Sequence, residues 1–138
     1  MTDSVFARIA RREIPAAIVF EDDRVIAFMD AGQVNPGHVL VATRRVAETL
    51  LDLDEAEAAH LFAVAHRMAR AVQQAFAPAG ITLLQTNRPA GWQTVPHVHV
   101  HVLPRHEGDG VGLVWPRMDP PMAQLQAWAD QLRATGLR

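Results

Sequence analysis

Short apolar runs and one long periodic stretch alternate along the chain. Ala17–Phe20 and Val25–Met29 are two such runs, split by Glu21-Asp22-Asp23-Arg24. An acidic turn between short apolar runs predicts a β-hairpin. Residues 31–37 are punctuated by Gly32, Asn35, Pro36 and Gly37 and predict a loop, which leads into a strand at His38–Ala42. The period then changes. Leu61, Val64, Met68, Val72 and Ala75 recur at spacings of three and four, as on an amphipathic helix. That helix is expected from about residue 53 to Phe76, with Asp52 as N-cap and Glu55 reaching back to it. Pro78 and Gly80 end it. Strands are expected at Ile81–Gln85 and His97–Leu103, a short helical turn at Phe6–Arg11, and a last helix at Met122–Ala134 with Leu125, Trp128, Ala129 and Leu132 on one face. No regular βαβ alternation emerges, so the expected class is α+β with an antiparallel sheet.

The chain has 138 residues, the size of one domain. It has no cysteine, which excludes disulfide frameworks and thiolate metal sites. A formal charge of −2 argues against a sequence-blind nucleic-acid binder. No apolar run approaches the length of a membrane span, and the first residues lack the pattern of a signal peptide. The expectation is a cytoplasmic domain without nucleic-acid or membrane partners.

One segment concentrates the chemistry: His97-Val98-His99-Val100-His101-Val102-Leu103. In a strand the three imidazoles share one face and the three valines the other. The valines can enter a core, and the histidines then stand roughly 6.6 Å apart along the backbone. Imidazole titrates near neutrality and can accept, donate or attack. Three readings fit this face: a solvated polar surface, a metal site built on His-x-His, or catalysis. The neighbours Asn87, Gln93 and Thr94 are neutral donors, which suit phosphate oxygens better than a divalent metal.

The string from His97 to Leu103-Pro104-Arg105, following Gln93-Thr94-Val95, resembles the histidine-triad (HIT) family of nucleotide hydrolases and transferases. Two further segments share the resemblance. They are Arg12–Ala16 with Phe20–Asp30, and Asn35-Pro36-Gly37-His38-Val39-Leu40-Val41. It spans roughly residues 4 to 115. It implies a five-stranded antiparallel sheet with one long and one short helix, and a homodimer with a continuous sheet. Residues 1–115 are expected as the HIT domain and 116–138 as an extension whose helix packs on the same domain.

The resemblance also implies roles. His99 matches the nucleophile that attacks the α-phosphorus of a nucleotide conjugate, forming a nucleotidyl-histidine that water resolves. His97 and His38 match residues that support the triad, and His101 the one that meets the phosphate and leaving group. Gln93 and Thr94 match phosphate and leaving-group contacts, and Asn87 joins them as a nucleotide-binding candidate. Asp30 matches the acid that grips the ribose. Phe6, Ile9, Ile14 and Phe28 match the apolar slot for the base. His60, His66 and His106 are expected to be solvated.

Two departures stand out. Many bacterial members carry a zinc-binding Cys-x-x-Cys where this chain has Ser4-Val5-Phe6-Ala7, and Val46 stands where a third ligand is expected, so no metal or cofactor is implied. Trp92 replaces a small residue and is expected to wall the site or a dimer contact. The resulting expectation is a hydrolase of purine nucleoside phosphoramidates or similar conjugates. A dinucleoside polyphosphate hydrolase and a nucleotide-binding interaction module with little turnover are the alternatives.

Overall fold

A computed structural model describes residues 3–138. Helix α1 spans Val5–Ala10, followed by β1 (Ile18–Glu21), β2 (Val25–Met29) and β3 (Val39–Thr43). The long helix α2 covers Glu55–Phe76, and β4 (Gly80–Gln85), β5 (His99–Arg105) and α3 (Met122–Arg133) complete the order. The strands form one sheet in the order β1-β2-β3-β5-β4, with every pair antiparallel. This is the expected α+β architecture, with β5 held between two partners.

The sheet buries both faces. Against α2 lie Val25, Ala27, Val39, Val41, Val98, Val100 and Val102, opposite Leu61, Val64, Ala65, Met68 and Val72. Phe6 and Ile9 of α1 cover the other face, over Ile26, Phe28, Leu40 and Ala42. Two apolar layers therefore fix the strand register, because a slip of one residue would exchange them.

Several local expectations shift. The N-cap of α2 is Asp54, whose side chain accepts from Glu57 N–H while Glu57 reaches back to it. Asp52 instead closes a capping box with Thr49 around the 3-10 turn Leu50–Asp52. Two overlapping acidic cap signals lie two residues apart, and the 3-10 turn takes the first. Ala75, in the last turn of α2, is exposed. Strand β5 begins at His99 and runs through Arg105, because His97 precedes the ladder and its N–H turns back to Val95 O at 2.8 Å.

Helix α3 forms where expected, but among the described residues it shows no extensive packing on the domain. None of its residues is buried, and Leu125, Trp128 and Leu132 are exposed. The irregular passage after Arg105 leads to this helix, whose apolar face is uncovered among the described residues.

Gly37 links the fold to the site. Its φ is +99°, and a Cβ there would lie 2.8 Å from Cδ2 of Phe76 on α2. Only glycine fits this close approach just before His38. Gly37→Ala is expected to lower unfolding free energy by about 1–3 kcal/mol, measured by urea denaturation. Adding Phe76→Ala should recover only part of the loss, since it removes the clash and leaves the backbone strain.

Candidate active site

The histidines and valines of the motif separate as a strand requires. Val98, Val100 and Val102 are fully buried against α2, while His99 and His101 face the α1 side over Ala42 and Leu40. His97 is also fully buried, just ahead of the strand.

Carbonyls and amides reveal which ring nitrogens hold protons. His97 Nε2 lies 2.6 Å from Thr43 O. A carbonyl only accepts, so Nε2 carries the proton and Nδ1 offers a lone pair to the Ser4 hydroxyl. His99 Nδ1 donates to His97 O at 2.7 Å, which leaves Nε2 with its lone pair free. No side-chain nitrogen or oxygen among the described residues is both buried and unpartnered. His99 Nε2 therefore reaches solvent, although the residue is only 3% exposed. This is a neutral imidazole with one nitrogen fixed and the other available for attack.

His38 and His101 form a second chain. Val34 N–H approaches His38 Nδ1 at 3.4 Å, and His38 Nε2 lies 2.9 Å from His101 Nδ1. His38 therefore donates through Nε2, and His101 carries its proton on Nε2. Asp30 Oδ2 stands 3.5 Å from His38 Nε2, while Asp30 Oδ1 accepts from Gly32 N–H at 2.8 Å. Asp30 thus both caps its turn and faces the histidines.

Burial keeps these rings neutral. It lowers the pKa of His38, His97 and His99 below the usual imidazole value. His101 falls furthest, to about 4, through burial and then through repulsion from His99 and His38.

The remaining candidates divide. Phe6, Ile9 and Phe28 are buried as a packed cluster, with Phe6 4.9 Å from the His99 ring and 5.3 Å from Phe28 between centroids. The partly buried Ile14, Ile18 and Val95 pack against this cluster. Gln93 does not present a free amide. Its Nε2 donates to Glu48 O and its Oε1 accepts from Arg88 N–H, both at 2.6 Å. Asn87 is likewise engaged, accepting from Leu50 N–H at 2.7 Å and bonding Gln85. Both amides, Gln93 buried and Asn87 half-buried, brace loops, because polar groups near turning backbone are drawn to its unpaired N–H and C=O groups. Thr94 and Trp92 are exposed, so Trp92 forms no wall within this chain. His60, expected to be solvated, bonds Asp22 of the β1–β2 turn at 2.7 Å. Beside His101 lies an apolar recess of about 220 Å³, lined chiefly by Val34, Leu84, Leu103, Val111 and Leu113.

Sequence reasoning missed the braces. Gln33 accepts from Gly37 and His38 N–H and donates to Asp30 and His38 carbonyls, tying the loop between Asp30 and His38 together. Ser4 and Thr43 hold His97. A serine before an apolar helical turn signals an N-cap; its second partner lies 93 residues away and gives no local signal.

Neither metal arrangement suits these residues. Ala7 and Val46 have no ligand atom, and the Ser4 hydroxyl is engaged with His97, so they do not fit a structural zinc. Asp30, His38 and His101 bring ligand atoms within 4.8 Å of one another. Coordination through His38 Nε2 would, however, push its proton onto Nδ1, against the Val34 N–H.

The "HIT domain" family model matches residues 11–108. Protein hit of Bacillus subtilis is 38% identical over 112 residues, covering 80% of this chain and 77% of that protein. The crystal structure of a HIT family protein from Bacillus anthracis has a TM-score of 0.91 at 34% identity, covering 99% of this chain and 98% of its own. A zinc-bound histidine triad family protein from Mycobacterium smegmatis has a TM-score of 0.74 at 30% identity, with 96% of each chain covered.

The neutral rings predict an acid response. Unfolded, His101 binds a proton near pH 6.5; folded, only near pH 4. As pH falls through this window the unfolded chain takes up a proton that the native state refuses, so stability present above 6.5 is progressively lost. Urea midpoints should fall steadily across this range, and His101→Gln should flatten the slope.

Proposed function

The chain belongs to the HIT domain family, and on that footing we propose that it is a nucleotide-binding hydrolase acting at the α-phosphate of purine nucleoside phosphoramidates or related conjugates. The observation that carries this reading is His99, whose Nδ1–H is held by His97 O while Nε2 stays bare and solvent-reachable. Nothing in a merely structural histidine requires that arrangement.

In the first step His99 Nε2 forms a bond to the α-phosphorus. The bond to the leaving amine breaks, and the amine departs with the electron pair and takes a proton from solvent. His101 Nε2–H hydrogen-bonds the leaving atom or a phosphoryl oxygen, where negative charge grows. Its pKa of about 4 makes it a donor of a hydrogen bond rather than a full acid at neutral pH. Water then attacks phosphorus, the P–Nε2 bond breaks, the water's proton returns to solvent, and the nucleoside monophosphate leaves. Asp30 faces the ribose side, and the base lies over Phe6 and Phe28 within the rim of Ile14, Ile18 and Val95. Ile9, Thr94, Gln93 and Asn87 contribute as packing or at loop edges, the two amides indirectly through the backbone they brace. The apolar recess beside His101 suits an apolar leaving group.

Residues 1–115 form the catalytic domain in this reading and 116–138 an extension. A homodimer is part of the proposal, supported by the open edge of β4 with its exposed Leu83 and by the uncovered face of α3.

Incubation with adenosine 5′-phosphoramidate should yield an adenylylated chain by intact mass, mapped to His99. His99→Ala should lose turnover by about a thousandfold or more while retaining AMP binding. A higher kcat/KM for a dinucleoside polyphosphate would favour that substrate class, and binding without turnover of either would indicate an interaction module. Light scattering should give twice the chain mass, reduced to the monomer by Leu83→Lys.

A further inference from the structure

The proposed reaction does not use Ser4, yet Ser4 is buried and its Oγ sits at a junction. It accepts from Ala7 N–H at 3.0 Å, capping α1, and bonds His97 Nδ1. Since His97 Nε2 donates to Thr43 O, its Nδ1 must accept, and the serine O–H donates. The Thr43 hydroxyl donates to Arg45 O, so it too can only accept from His97. Both ends of the His97 ring are therefore pinned, one to α1 and one to the end of β3. The backbone carbonyl of this same residue receives His99 Nδ1–H. Helix α1 also carries Phe6, whose ring meets both His97 and His99 edge-on.

We infer that Ser4 is a positioning residue for His99: by fixing the His97 ring it aims the carbonyl that holds His99 in the Nδ1–H tautomer and bares Nε2. The inference rests on the reading of His99 as nucleophile. Without the hydroxyl, His97 Nδ1 loses its partner and the ring is held at one end only, by Thr43 O. The carbonyl of His97 is then less firmly aimed, and His99 samples both tautomers.

The test compares Ser4→Ala, Ser4→Gly and Ser4→Thr with the unaltered protein. Glycine keeps a serviceable N-cap, so a fold lost only in Ser4→Ala leaves the question open to measurement in Ser4→Gly. Long-range ¹H–¹⁵N spectra of the imidazoles should show a single Nδ1–H tautomer for His99 in the unaltered protein and in Ser4→Thr. In Ser4→Gly they should show a mixture. With adenosine 5′-phosphoramidate, Ser4→Gly should lower kcat about 10- to 100-fold with KM roughly unchanged, and Ser4→Thr should restore it. A His99 tautomer unchanged in Ser4→Gly overturns the inference, whatever happens to the melting temperature. If the unaltered protein turns over no nucleotide, the proposed function fails while the tautomer measurement still decides the role of Ser4.

Discussion

The site depends on the burial of β5 on both faces at once. Its valines are sealed against α2, and ladders to β3 and β4 grip it from either side. A strand held by two neighbours and a helix has one register available, because sliding by one residue would drive imidazoles into the apolar layer and valines into the site. The valine face is thus the one that orients the histidine face. A softer core under Val98, Val100 and Val102 would loosen the histidines without touching them.

Burying imidazoles so closely has an electrostatic consequence. A proton on any one of them would be poorly hydrated, which is why the pKa values move down together, and at His97 and His101 a neighbouring imidazole adds repulsion. Neutrality leaves each ring one donor and one acceptor. Fixed backbone groups then choose the tautomers: Thr43 O for His97, His97 O for His99, Val34 N–H for His38. The proton arrangement follows from the polypeptide geometry, and among the described residues Nε2 of His99 is the one ring nitrogen of His97 and His99 without a partner. Depressed pKa and preset tautomer have one physical origin, exclusion of water from a hydrogen-bonded strand.

The sequence was legible wherever period reports packing. The alternation at 97–103 placed imidazoles and valines on opposite faces, and the stripe from Leu61 to Val72 located the helix beneath them. Local competition was not legible. Asp52 and Asp54 both carry acceptable cap chemistry, and only the 3-10 turn ahead of α2 decides between them. Side chains that serve distant backbone were equally hidden. Gln93 and Asn87 have the donors a phosphate would want, but their partners, Glu48 and Leu50, sit in a loop some forty residues away. Nor does the apolar stripe of α3 say whether its partner lies in the same chain.

Gln93 shows how a brace can matter more than a contact. The segment it closes holds two non-glycine residues at positive φ, Arg88 at 66° and Trp92 at 75°. Such conformations cost of order 1–3 kcal/mol each and persist only where surroundings impose them. Here the Gln93 side chain accepts from Arg88 N–H and donates to Glu48 O, while its backbone N–H returns to Arg88 O at 3.0 Å. One residue therefore anchors the strained turn on both sides and joins it to the segment before α2. Four residues later the chain enters His97, already pinned by Ser4 and Thr43. Thr94, Val95 and Pro96 therefore span a short bridge between two hydrogen-bonded anchors, which leaves the backbone leading into His97 little slack.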